Sequence, residues 1–164
     1  MKFVSSLFAV VVAVIALGLV YSTPNDAQAA YSPAAATDDA APVEDSMHEF
    51  MEYVFQPTYL RLKVSMATAP ADNKGWKAVK SDSLILAESC NLLFARKPDE
   101  HGEDWVKHAT ASKTHGGQLY KAAKEKNFEA ATTAYKTMLD NCNACHKQFE
   151  DGKHILQPSE PAQN

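Results

Sequence analysis

Between residues 44 and 154 no segment sustains the period-two alternation of a half-buried strand, which argues against a β or α/β architecture. Also missing are a second C-x-x-C, an H-x3–5-H pair, a phosphate-binding glycine loop, a nucleophile–base pair and a cluster of carboxylates. Without them the chain has no paired zinc knuckle, no phosphate cradle and no hydrolytic constellation, so enzymatic activity is not expected. Positive charge is short as well: 16 Lys and Arg stand against 20 Asp and Glu, for a net charge of −4. That balance argues against a nucleic-acid partner. Cysteine is scarce and odd in number: Cys90, Cys142 and Cys145. Cys90, alone in LAESCNLLF, reads as a small buried apolar side chain.

What is present begins with an export pattern. Lys2 precedes an apolar run, Leu7 to Val20, and Ala27-Gln28-Ala29 fits a cleavage site, so residues 1–29 are expected to be a secretory signal peptide. The run is shorter than the ~20 residues of a usual membrane span. If it were left uncleaved it would tether the protein to the membrane. Residues 30–43, rich in Ala, Pro and Asp, read as a disordered linker. Residues 44–156 are one domain's worth of chain, and 157–164 are expected to form a disordered tail. Removing 1–29 takes away Lys2 and Asp26, so the charge stays at −4.

Within 44–156, apolar and small residues recur three and four apart, the period of a helix with one buried face. Four such seams are present. They are Met47, Met51, Val54, Thr58, Leu62, Ser65; Trp76, Val79, Ser83, Leu86, Cys90, Leu93; Trp105, His108, Ser112, His115, Leu119, Ala122; and Phe128, Ala131, Tyr135, Met138, Cys142, Cys145, Phe149. Pro70 and Pro98 stop helices, and Asp72 or Asn73 and Asn127 are caps. Four helices joined by short turns predict an all-α fold, an antiparallel four-helix bundle. Pro57 predicts a kink or a helix start inside the first helix. Gly116-Gly117 predicts either a bend in the third or a point where a flat, bulky group meets the backbone.

The fourth helix carries Cys142-Asn143-Ala144-Cys145-His146. Cys142, Cys145 and His146 fall at i, i+3 and i+4 and so project from one helix face. That arrangement lets two thioethers hold the edge of a porphyrin while the imidazole reaches its iron. C-x-x-C-H is the attachment signature of haem c, and attachment takes place after export. A zinc site needs further ligands, and a redox dithiol wants a strand before it and a helix N-terminus under its first cysteine. Only eighteen residues follow His146, none of them Met, so any ligand on the other side of the iron comes from an earlier helix.

On this motif in the last helix, followed by the short His146-Lys147-Gln148-Phe149 run, the chain resembles the class II c-type cytochromes, the cytochrome c-prime group with its low-spin relatives. The resemblance spans about 44 to 154, and its specific part is confined to 142–146. It implies one covalent haem c, His146 as proximal iron ligand, and a first-helix residue facing the opposite side of the iron. An apolar residue there implies five-coordinate iron open to small gases; a Met implies low-spin iron suited to electron transfer. Met51 is the preferred distal ligand because it lies deeper in the first helix than Met47, the second choice. His48 and His115 are the alternatives among histidines, and His108 shares a seam with His115. His101 belongs to a loop, and His154 is placed on the proximal helix, unable to reach across the ring. Arg61 and Lys63 are candidates to pair with haem propionates.

The leading expectation is therefore a periplasmic electron carrier working between redox partner proteins. The alternatives are a gas-binding c-prime-type protein and a zinc-stabilised bundle. A homodimer is raised by the resemblance alone.

Overall fold

The computed structural model describes residues 41–159. The expected signal peptide, and the linker up to residue 40, lie outside the described residues. The described residues form helices and turns with no strand, and no helix among them is long and apolar enough to cross a membrane.

The first helical stretch changes register twice. Its opening turn, α1 (Met47–Phe50), is capped by Ser46, whose hydroxyl accepts from the Glu49 N–H at 3.2 Å. A π-helical turn follows over Met51–Phe55, in which the Gln56 N–H reaches back five residues to the Met51 carbonyl. The α-helix resumes as α2 (Gln56–Ser65), with Pro57 in its first turn. Proline has no N–H to give and crowds the carbonyl four residues back; a wider turn just ahead of it relieves that crowding. The Thr58 hydroxyl bonds the Val54 carbonyl at 3.0 Å. The break expected from Pro57 is thus a π-turn, and it begins at Met51.

The remaining helices are regular. Asp72 caps α3 (Asn73–Phe94) by accepting from the Gly75 N–H at 2.8 Å. Left-handed His101 (φ 55°) precedes α4 (Gly102–Lys124), which carries Glu103 and Asp104 in its first turn and Lys121 and Lys124 in its last. Both ends therefore complement the helix dipole. Asn127 caps α5 (Phe128–Phe149) through the Ala130 N–H at 3.0 Å. Turns this short between helices that pack on each other make α3, α4 and α5 antiparallel neighbours.

Six of six residues on the second expected seam, Trp76 to Leu93, are buried, so α3 is the central wall. It packs against α2 on one side and α4 on the other, and α4 packs against α5. The main core gathers Leu62, Val79, Leu119, Tyr135 and Leu139, and a smaller cluster gathers Phe50, Cys90, Leu93, Trp105 and Ala109. Arg61 fixes α2 to α3 by donating twice to buried Asp82, at 2.8 and 3.1 Å.

Gly116-Gly117 causes no bend, since α4 runs through both. A Cβ on Gly116 would lie 3.1 Å from Ala87 Cβ and 3.3 Å from Ala87 Cα, so this glycine lets α3 and α4 approach closely. Gly116 admits another helix, in place of the flat group that was the alternative expectation.

One side of the bundle does not close. No Cα of the first stretch, 47–65, comes within 8 Å of a Cα of α5. A cavity occupies that gap.

Candidate functional site

The cavity between the first stretch and α5 has a volume of about 410 Å³. That is in the range of roughly 300–1,000 Å³ usual for sites that take small organic molecules. Cys142, Cys145, His146 and Phe149 line it from α5. Met47, Met51, Phe55 and Tyr59 line it from the first stretch, and Leu86, Cys90, Leu93, Trp105, Ala109 and Ser112 form the back. The sequence-predicted residues Met47, Met51, Cys142, Cys145 and His146 therefore meet at one apolar cavity.

The three motif side chains differ in state. Both thiols are free. Burial pushes the Cys142 thiol up, against the pull of the Ser112 hydroxyl 3.6 Å away. Burial also pushes Cys145 up to about 11, with the neighbouring Cys142 adding to it. The effect is opposite to the lowered pKa of a redox C-x-x-C pair. His146 Nδ1 lies 2.9 Å from the carbonyl oxygen of His154. A carbonyl can only accept, so Nδ1 carries a proton, and in the neutral ring this leaves the lone pair on Nε2, the form of imidazole that ligates a metal.

Met47 and Met51 are both half-buried and pack against the smaller core cluster together with Cys145 and Phe149. Met51 is the first residue of the π-turn. Both methionines are on the wall opposite the motif.

The other histidines separate clearly. His115 lines a different, shallow depression with Gln118 and Thr133, and its Nδ1 contacts Gln118 Oε1 at 2.9 Å. It does not reach the cavity, because it lies seven residues beyond His108, about 10 Å further along α4. His108 does line the cavity, and its Nε2 is taken by Gln148 Oε1 at 2.9 Å, while Gln148 in turn donates to Asp104 at 2.9 Å. His48 is exposed at the rim and pairs with Glu52 at 3.3 Å. His154 is not on the proximal helix as expected, since α5 ends at Phe149. It lies in the segment beyond α5, with its ring centroid 6.5 Å from that of His48. Arg61 is held by Asp82, Lys63 lies over the Tyr59 ring at 5.9 Å, and neither lines the cavity.

Cys90 is buried as expected, donates to the Leu86 carbonyl at 3.3 Å, and is pushed up to about 12, first by burial. Its presence on the back wall of the cavity had no signal in the sequence.

The segment after α5 supplies the largest group of residues the sequence did not indicate. Residues 150–159 turn back across the cavity's end, with Asp151, Gly152 and His154 in left-handed conformations (φ 52°, 72° and 55°). Asn143, between the two motif cysteines, pairs with both backbone groups of Leu156, accepting at 2.7 Å and donating at 2.9 Å. The Tyr59 hydroxyl does the same with Gln157, donating at 2.8 Å and accepting at 3.0 Å. Ser159 bonds the Lys63 carbonyl, so Gln157 and Ser159, expected in the free tail, are held on α2. This strap joins the last helix to the first where their backbones stay apart.

Comparison with protein families, with curated proteins and with solved structures returns no match for this chain.

Proposed function

We propose that the chain is an exported monohaem c-type cytochrome that carries single electrons between redox partner proteins in the periplasm. Cys142 and Cys145 are its thioether anchors, His146 the proximal iron ligand and Met51 the distal one. The observation that carries this reading is the set of groups meeting at one cavity: two half-buried free thiols, an imidazole whose Nδ1 is tied to a carbonyl, and thioethers on the facing wall.

The residues present fit haem c in kind. Each thiol is kept protonated by burial, and its S–H can add across a vinyl group with no atom lost. The lining is apolar, as a porphyrin's edge requires. Haem, when bound, supplies a one-electron Fe(III)/Fe(II) couple. In this chain His146 and Met51 would hold the group, and the apolar lining would limit access of water to it. His146 Nε2 offers a strong σ-donor on one side. The Met51 thioether, a softer ligand, favours the reduced metal and raises the potential. Leu86, Leu93 and Trp105, all buried, give the site an apolar back wall. Were both His146 and Met51 to hold the group, no position would be left for a substrate, which suits electron transfer and not catalysis.

A zinc-stabilised bundle is supported less well. Structural zinc takes four N or S ligands, and the sequence offers no second C-x-x-C and no H-x3–5-H pair beside the motif. A five-coordinate, gas-binding protein is the second reading. It is favoured by Phe55, which shares the Met51 wall and would leave the iron open if it, rather than the thioether, were the nearest group.

Denaturing mass spectrometry of the exported protein tests the attachment. One haem retained on the unfolded chain, and lost as a covalent adduct in the Cys142→Ala, Cys145→Ala double variant, is the expected result. A haem-free chain would refute the proposal.

A further inference from the structure

We infer that Asn143, the first variable residue of C-N-A-C-H, is a positioning residue for His146, acting through the strap 150–159. The inference rests on the haem reading given above and extends it to the group that sets the ligand's strength. His146 Nδ1 donates to the His154 carbonyl, and nothing on α5 itself holds that carbonyl in place. What fixes it is the pairing two residues further on, where the Asn143 amide takes both the N–H and the C=O of Leu156. The Tyr59 hydroxyl takes both backbone groups of Gln157, so the strap is clamped from α5 and from α2 at successive residues.

The conformation of the strap agrees with a held segment. Asp151 and His154 are non-glycine residues in the left-handed region, a conformation that persists where the surroundings over-determine it. Leu156 packs against the main core, which gives the strap an apolar anchor as well. A carbonyl so placed makes imidazole a stronger donor, because sharing the Nδ1 proton moves negative charge onto the ring. That favours Fe(III) and lowers the potential.

The test uses the full haem-loaded protein, Asn143→Ala and Tyr59→Phe, with two readouts: the midpoint potential and the solvent exchange of the His146 Nδ1 proton by NMR. Loosening the strap is expected to weaken the preference for Fe(III) by about tenfold, a rise of ~59 mV for one electron, and to speed that exchange. Tyr59→Phe, which removes a single hydroxyl, gives the same direction with a smaller rise and carries the test if Asn143→Ala does not fold. Unchanged potential and unchanged exchange in both variants would overturn the inference, as would lost thermal stability with neither readout moved. If the wild-type protein carries no haem, the functional reading fails by itself. The inference is then judged on the exchange measurement alone, made on the haem-free chain, where faster exchange in the variants supports it and equal exchange refutes it.

Discussion

Met51 stands where two demands meet: it opens a π-turn and it lines the wall facing His146. Replacing Met51 with Ala should turn a low-spin reduced spectrum into a high-spin one that binds CO, while Met47→Ala should leave the spectrum low-spin; the reverse pattern would exchange their roles. Cys90 gives a pH prediction that needs no haem. Its thiol is raised from 9.0 to about 12, so the folded state holds the proton more tightly than the unfolded one. The stability this contributes is complete below pH 9 and is lost as pH rises from 9 toward 12. Urea midpoints should therefore fall more steeply over that interval in the wild type than in Cys90→Ala. Cys142, Cys145 and His146 were legible from the sequence because their chemistry is written in a local spacing. Asn143 and Tyr59 were not, because their roles arise from partners 13 and 98 residues away.

The helices were legible one at a time, since each buried face repeats at 3.6 residues, and Ser46, Asp72 and Asn127 cap three of the starts with a side chain. The α3 seam from Trp76 to Leu93 is buried throughout. What a single helix cannot reveal is its neighbour. Gly116 and Gly117 look alike in sequence, yet a Cβ on Gly116 meets Ala87 at 3.1 Å and one on Gly117 meets nothing within 4 Å. Gly117→Ala should stabilise the fold by about 1 kcal/mol through helix propensity. Gly116→Val should instead cost about 1–3 kcal/mol, because α3 and α4 must part. Equal effects in thermal melts would show that the helices do not cross there. Pro57 marked a break correctly, but its form, a π-turn from Met51 to Phe55, depends on how the crowded carbonyl is relieved. Arg61, half-exposed, covers buried Asp82. Arg61→Met should destabilise by roughly 1–3 kcal/mol, since it leaves a desolvated carboxylate without its donors. Asp82→Asn in the same background should recover part of that loss, as measured by chemical denaturation.

At the scale of the whole molecule, the four packed stretches leave one gap, and the chemistry of the chain is concentrated there. The first stretch and α5 keep their backbones apart, the strap joins them at one end, and the predicted ligands line the space between. The fold class was legible from periodicity, but the gap was not, because it is the absence of a packing contact that no single seam encodes. If His146 and Met51 held a haem as proposed, the group would bridge two elements whose backbones stay apart. Haem loading should accordingly raise the unfolding temperature well above that of the haem-free chain, by mass action on the folded state. The proposed function requires a covalent haem held by His146 and by a thioether of the first stretch. The most direct measurement is the absorption spectrum of the purified exported protein, taken oxidised, reduced, and reduced under CO. A low-spin c-type spectrum in both redox states, unchanged by CO, is the predicted result; a high-spin spectrum with ready CO uptake, or no haem absorption, would contradict it.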